Sequence, residues 1–153
     1  MSKSNKGSQK ARNTAARLVA AQCVYDMILT GHSATESLAG YKDHRHGEVF
    51  EEIDFVPADL DLLSKIVRGV DERKNDLSEM IGKALDARKS NAQPEPLLRS
   101  VLLCGAYEML AHNEIDAALL ISEYQAVSNG FFDDAEAKLV HAVLDRINKA
   151  LRP

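Results

Sequence analysis

The chain has 153 residues, with 45% hydrophobic and 27% charged side chains and a formal net charge of −4. That is the length and composition of one globular domain with a sizeable core. Aromatics make up only 5% and Trp is absent, so aliphatic side chains must build that core. Two cysteines, Cys23 and Cys104, cannot make a disulfide scaffold and read as small buried hydrophobes in a reducing compartment. No apolar run is long enough for a membrane span and the N-terminus lacks a signal-peptide pattern, so a cytoplasmic protein with no membrane partner is expected.

The net charge conceals an asymmetry. Residues 1–17 hold Lys3, Lys6, Lys10, Arg12 and Arg17 and no acid, which leaves an acidic body behind a basic arm. Such an arm either solubilises a tail or holds a polyanion locally, and the second use would be salt-sensitive.

Residues 1–9 are polar and are expected to form a disordered basic tail. From about Lys10 the spacing predicts a helix through Leu18, Val19, Tyr25 and Ile28, stopped by Gly31. A short helix is expected over 35–39, then an acidic loop over 40–58 with Val49, Phe50, Ile53 and Phe55 as candidate anchors. A third helix carries Leu63, Ile66, Val67 and Val70, and Gly69 within it suggests a close helix crossing or the onset of a turn. A fourth has Leu77, Ile81 and Leu85 behind an Asn75 or Asp76 cap. Ser90–Pro96 reads as a hinge. Leu97 to Leu110 is apolar nearly all round and predicts a central core helix. Asp116 and Asn129-Gly130 bracket the next helix, and Asp133 or Asp134 opens the last, whose stripe is Leu139, Val140, Val143, Leu144 and Ile147. The outcome is one all-α bundle of six or seven helices with no convincing strand.

No catalytic constellation is present: no phosphate-binding glycine loop and no nucleophile elbow. His44 and His46 with nearby carboxylates lack the cysteine cluster that would make a zinc site persuasive. The expectation is therefore a protein that is not an enzyme and needs no metal or cofactor. Glu108 and Glu123 each interrupt an apolar stretch. They sit either at a helix edge open to solvent or in the core, where each would need a basic or N–H partner. Tyr25 follows Arg17 by eight residues, roughly on one side of a helix. With Lys10 and Arg12 upstream, that edge could hold phosphates and stack a base of single-stranded RNA, or Tyr25 could pack its ring in the core.

Several stretches together resemble the transcription antitermination protein NusB family over about residues 10–150. They are Ala16-Arg17, Ala21-Gln22-Cys23-Val24-Tyr25, Ile66-Val67-Arg68-Gly69-Val70, Ala106-Tyr107-Glu108-Met109-Leu110, Ile121-Ser122-Glu123 and Lys138-Leu139-Val140-His141-Ala142-Val143-Leu144-Asp145-Arg146. The resemblance implies two small helical subdomains, about 10–90 and 95–150. It implies an antitermination factor that pairs with ribosomal protein S10 (NusE), binds single-stranded boxA-like RNA of ribosomal RNA operon transcripts and joins an RNA polymerase antitermination complex. Lys10, Arg12, Arg17, Tyr25, Lys138 and Leu139 map to its RNA-facing positions; Tyr107, Glu108 and Glu123 map to its protein-binding neighbourhood.

The sequence also departs from the family pattern. Arg12-Asn13-Thr14-Ala15-Ala16 dilutes a run of consecutive basic residues, Leu139 replaces a Phe, and Asp116-Ala117-Ala118 replaces Pro-Tyr-Lys. Fewer phosphate contacts and lost stacking predict weaker RNA affinity or greater reliance on S10. The departures equally suit a diverged free-standing relative that binds a different RNA or protein. Self-association as a homodimer stays open.

Overall fold

The structure, a computed structural model, describes residues 7–47, 56–87 and 94–152. Its six helices are α1 (Gln9–Thr30), α2 (Ala34–Gly47), α3 (Leu60–Ala87), α4 (Pro96–Ala111), α5 (Ala117–Asn129) and α6 (Asp134–Leu151), and no strand occurs among the described residues. One apolar cluster draws on all six helices. α4 lies at its centre, packed against α1, α3, α5 and α6. The burial of its middle follows from its largely apolar sequence: Val101, Leu102, Cys104, Ala106 and Met109 have no solvent exposure. No helix among the described residues is long and apolar enough to cross a membrane.

α1 starts earlier than its periodicity indicates. Ser8 accepts a hydrogen bond from the Ala11 N–H at 3.1 Å and caps the helix, so residues 8 and 9 belong to the folded body; residues 1–6 of the expected tail lie outside the described residues. Gly31 ends α1 in the left-handed region at φ 81°, a conformation that costs glycine little.

α2 corrects the expected 35–39 helix and 40–58 loop by running to Gly47. A capping box starts it. Ser33 Oγ accepts from the Glu36 N–H at 3.1 Å, and Glu36 accepts from the Ser33 N–H at 2.8 Å. Ala34 and Leu38 provide its buried contacts, and Ser37 donates to the Cys23 carbonyl of α1. The anchors proposed at Val49, Phe50, Ile53 and Phe55 lie outside the described residues, as do the side chains of His44 and His46.

The two helices expected between Ala58 and Arg88 are one element. α3 kinks at Arg73 (φ −118°, ψ 19°) instead of stopping, so Asn75 and Asp76 meet no free helix start to cap. Asp59 caps α3 through the Leu62 N–H and accepts a hydrogen bond from Gln9, which pins the starts of α1 and α3 together. Gly69 marks the close crossing of α3 over α4: a Cβ there would sit 2.2 Å from the Tyr107 ring. At the other end, the Arg152 guanidinium donates to the carbonyls of Met109, His112 and Ile115 and closes the open end of α4.

Candidate nucleic-acid interface

The N-terminal half of α1 separates two environments. On its inner side lies a buried polar centre. Arg17 holds Glu108 of α4 with two bonds, Nε to Oε2 at 2.7 Å and Nη2 to Oε1 at 3.1 Å, and Glu123 of α5 with Nη1 at 3.2 Å. Glu108 also accepts from Tyr124 Oη, and its Oε1 lies 2.8 Å from His112 Nδ1. Arg17 is 4% exposed, Glu108 0% and Glu123 7%, so these groups face one another and not solvent.

Burial alone would raise the Glu108 pKa. Hydrogen bonds from His112 and Arg17, the guanidinium charge and the Tyr124 hydroxyl outweigh it and hold the carboxyl at about 2. Burial disfavours the Arg17 charge too, but its bonds and charge interactions with Glu108, helped by Tyr124 and Glu123, push its pKa above the ordinary value. Tyr124 is driven well above its usual range, first by burial and then by the neighbouring Glu108 charge. The centre is thus an arginine held between the ionised Glu108 and Glu123, with hydrogen-bond partners on each side.

These placements differ from the edge positions that the spacing suggests. Arg17 is turned inward: an eight-residue step turns a helix by about 80°, enough to send Arg17 into the core while Tyr25 stays half-buried. Glu108 and Glu123 do not present carboxylates to a protein partner. Glu108 is sealed, and Glu123 reaches the rim only where Lys10 Nζ approaches it at 3.6 Å.

On the outer side of the same helix segment lies a cleft of about 600 Å³ between α1 and the end of α5. Ala11, Ala15, Leu18, Ala126 and Val127 give it apolar walls, and Lys10, Ser8 and Thr14 add polar groups at one side. Gly130 keeps it open; a Cβ there would come within 3.3 Å of Leu18 Cδ1. Thr14 joins the two environments, for it lines the cleft while its hydroxyl lies 2.9 Å from Glu123 Oε1. Lys10 is the most open cation here, with its side chain 75% exposed.

The other expected residues are spread around this cleft. Arg12 is half-buried and turned toward Asp59, whose backbone N–H its carbonyl accepts at 3.1 Å; its Nε has no partner among the described residues. Tyr25 shares the α1 stripe of Ala11 and Leu18 by seven-residue steps. Lys138 is exposed on α6, while Leu139 is half-buried against the core. Neither lines the cleft. Tyr107 is half-buried against Gly69, with its ring edge-to-face to His112 at 5.5 Å. Of the residues that line the cleft, Lys10 alone is among those the sequence points to for RNA contact; Thr14, Leu18 and Gly130 carry no such signal. Their only signal is the spacing that places Thr14 and Leu18 one turn apart. Among the described residues no cluster of His, Cys, Asp and Glu is arranged to hold a metal ion.

Comparisons with known proteins converge on one family. The NusB family profile matches residues 14–149. The transcription antitermination protein NusB of Rhizobium rhizogenes is 34% identical over 97% of this chain and 96% of its own length. That of Maricaulis maris is 33% identical over 99% and 96%, respectively. That of Rhizobium etli strain CIAT 652 is 36% identical over 90% and 86%. A solved structure of T. maritima NusB superposes with a TM-score of 0.65 at 20% identity, covering 92% of this chain and 93% of that one, a likeness of fold.

Proposed function

Because the chain belongs to the NusB family of non-enzymatic, RNA-binding transcription antitermination proteins, we propose that it receives a single strand of boxA-type RNA along the α1–α5 cleft. In this reading it does so together with ribosomal protein S10, within an RNA polymerase antitermination complex. The observation that carries the reading is an open apolar cleft with an exposed cation, Lys10, at its edge.

The chemistry suits a single strand. Lys10 spends its charge on a weak, exposed pair with Glu123 that a phosphate can displace. Displacement leaves no bare buried carboxylate, because Thr14 and Arg17 still hold Glu123. The apolar walls accept the face of an unstacked base or a sugar, Tyr25 offers a half-buried ring further along α1, and Lys138 supplies a second phosphate contact from α6. Leu139 contributes van der Waals contact alone. Arg17 acts from within as a positioning residue that ties α1 to α4 and α5. In the S10 part of the reading, the outer edge of Tyr107 meets the partner, and Glu108 supports that ring's helix from inside.

The test is the salt dependence of binding to a boxA-type oligoribonucleotide, measured by fluorescence anisotropy. Loss of one single-strand phosphate contact lowers the log–log salt slope by about 0.7, so Lys10→Ala and Lys138→Ala should each do so. Unchanged slopes in both variants would remove this cleft from the RNA path. Tagged chain purified from its host should carry S10, and a partner set without S10 would favour the diverged reading.

A further inference from the structure

Beyond the kink at Arg73, the second half of α3 lies beside the end of α6, and the two helices leave a groove of about 270 Å³ between them. Met80 and Ala84, one turn apart on α3, form one wall, and Ile147 and Leu151, one turn apart on α6, form the other. Ala84 and Ile147 are buried, Met80 and Leu151 are half-buried, and Ala150 stands exposed at the mouth. The small side chains at 84 and 150 leave space that larger ones would close. The groove lies away from the proposed RNA path. It shares no residue with the α1–α5 cleft, and about 18 Å of α6 separates Lys138 from Ala150.

Two cations stand at its rim, one on each helix, although the chain as a whole is acidic. Arg146 has no ion pair among the described residues. Lys83 has only a pair with Glu79 of its own helix, at 3.7 Å and with the lysine side chain 78% exposed, a contact that another carboxylate can replace at little cost. No acid lines the groove among the described residues. An apolar floor between two available cations calls for an occupant with an apolar face and carboxylates beside it. The same surface calls for a helix. An extended segment would bring unpaired backbone groups to two helices whose own N–H and C=O groups are spent within them, whereas a third helix arrives with its backbone satisfied and lays its ridge in the groove.

We propose that the α3–α6 groove docks an acidic amphipathic helix of a partner protein, which seats a large apolar side chain between Ala84 and Ala150 and places one carboxylate on Arg146 and another on Lys83. The planar guanidinium of Arg146 grips a carboxylate with two parallel bonds and so sets the register, while Lys83 adds attraction with little directionality. Tyr107 packs on Gly69, in the half of α3 before the kink, so this groove is a contact additional to the one assigned to S10. The inference stands apart from the RNA reading, and either can fail without the other.

The probe is a fluorescein-labelled helical peptide with leucines along one face and glutamates flanking them; a control peptide carries lysines in place of the glutamates. Fluorescence anisotropy with the full chain should give the glutamate peptide a dissociation constant on the order of tens of micromolar, rising with salt, and should show no binding of the lysine peptide. Arg146→Glu should raise that constant at least about tenfold and Lys83→Glu about threefold. Ala150→Trp, which fills the mouth without entering the core, should abolish binding with an unchanged circular dichroism spectrum. Leu119→Asp, at an exposed apolar position elsewhere, should leave the constant as it is. Neither a boxA-type oligoribonucleotide nor purified S10 should displace the peptide, and sedimentation velocity should be the same for wild type and Ala150→Trp. Equal binding of the two peptides, binding indifferent to Arg146→Glu and Ala150→Trp, displacement by RNA or S10, or a dimer lost in Ala150→Trp would overturn the proposal.

Discussion

Lys10 and Arg17 stand seven residues apart on one helix and lead opposite lives. Lys10 is open to water, and its pair with Glu123 spans 3.6 Å. Arg17 is sealed and grips Glu108 at 2.7 Å. An exposed cation keeps its hydration and can exchange one anion for another at little cost. A buried one has lost its water, so its carboxylates are obligatory and it cannot leave them for a phosphate. The same residue class thus stays exchangeable at one end of the segment and holds the fold together at the other.

The largest expected effect tests the sealed side. Arg17→Met leaves Glu108 and Glu123 facing an apolar side chain, and removing one member of a buried ion group costs about 3–5 kcal/mol. Arg17→Met combined with Glu108→Met and Glu123→Gln should recover much of that loss, because no uncompensated charge remains. Urea unfolding of the single and triple variants measures both numbers. A loss under about 1 kcal/mol for Arg17→Met would mean that the centre is hydrated, and the contrast with Lys10 would collapse.

Acid gives a second test. The Glu108 carboxyl titrates at about 2 in the folded chain against an ordinary 4.5. Its depressed pKa stabilises the fold fully above pH 4.5, and that contribution is lost as the pH falls toward about 2. Urea midpoints between pH 5 and pH 2.5 should therefore fall more steeply for wild type than for Glu108→Gln, which starts from a lower midpoint but has no carboxylate to protonate there. Parallel slopes would show that another carboxylate dominates the acid limb.

Most helix positions were legible because periodicity and punctuation agree in α1, α4, α5 and α6. Gly69 is legible in part: a glycine inside an apolar stripe suits a close crossing or a turn, and the Tyr107 ring decides for the crossing. α2 was misread because it has few aliphatics, yet its capping box, Ser33 to Glu36, stood in the sequence and outweighs the weak stripe. The α3 kink reads from sequence as a break because a polar run over 71–76 looks alike in both cases. The buried centre is a different matter. Arg17 meets Glu108 across 91 residues, and no local pattern tells a sealed arginine from an open one. The sequence sets only a condition on Glu108, a basic partner if buried, and the structure supplies that partner as Arg17. The cleft is less legible still, because small residues from two distant helices shape it.

Thr14 stands between the two environments and should show an intermediate effect. Thr14→Val keeps the shape of the cleft wall but deletes the hydroxyl that Glu123 Oε1 faces at 2.9 Å. Such a loss costs about 0.5–1.5 kcal/mol, or somewhat more because the acceptor is charged. RNA affinity should change little if the cleft works through shape and Lys10. A large affinity loss with intact stability would instead make Thr14 a direct ligand.

Lys10→Ala sharpens the comparison from the open side. Its ion pair is exposed, so stability should move by less than about 0.5 kcal/mol, and Glu123 keeps Arg17 and Thr14. The consequence belongs in RNA binding, as a weaker complex whose salt slope is about 0.7 shallower. Thermal unfolding and anisotropy titrations on one preparation separate the outcomes. A variant that unfolds early would place Lys10 with the structural group around Arg17, whereas a variant that folds normally and binds RNA with an unaltered slope would leave the cleft without a phosphate contact at this edge.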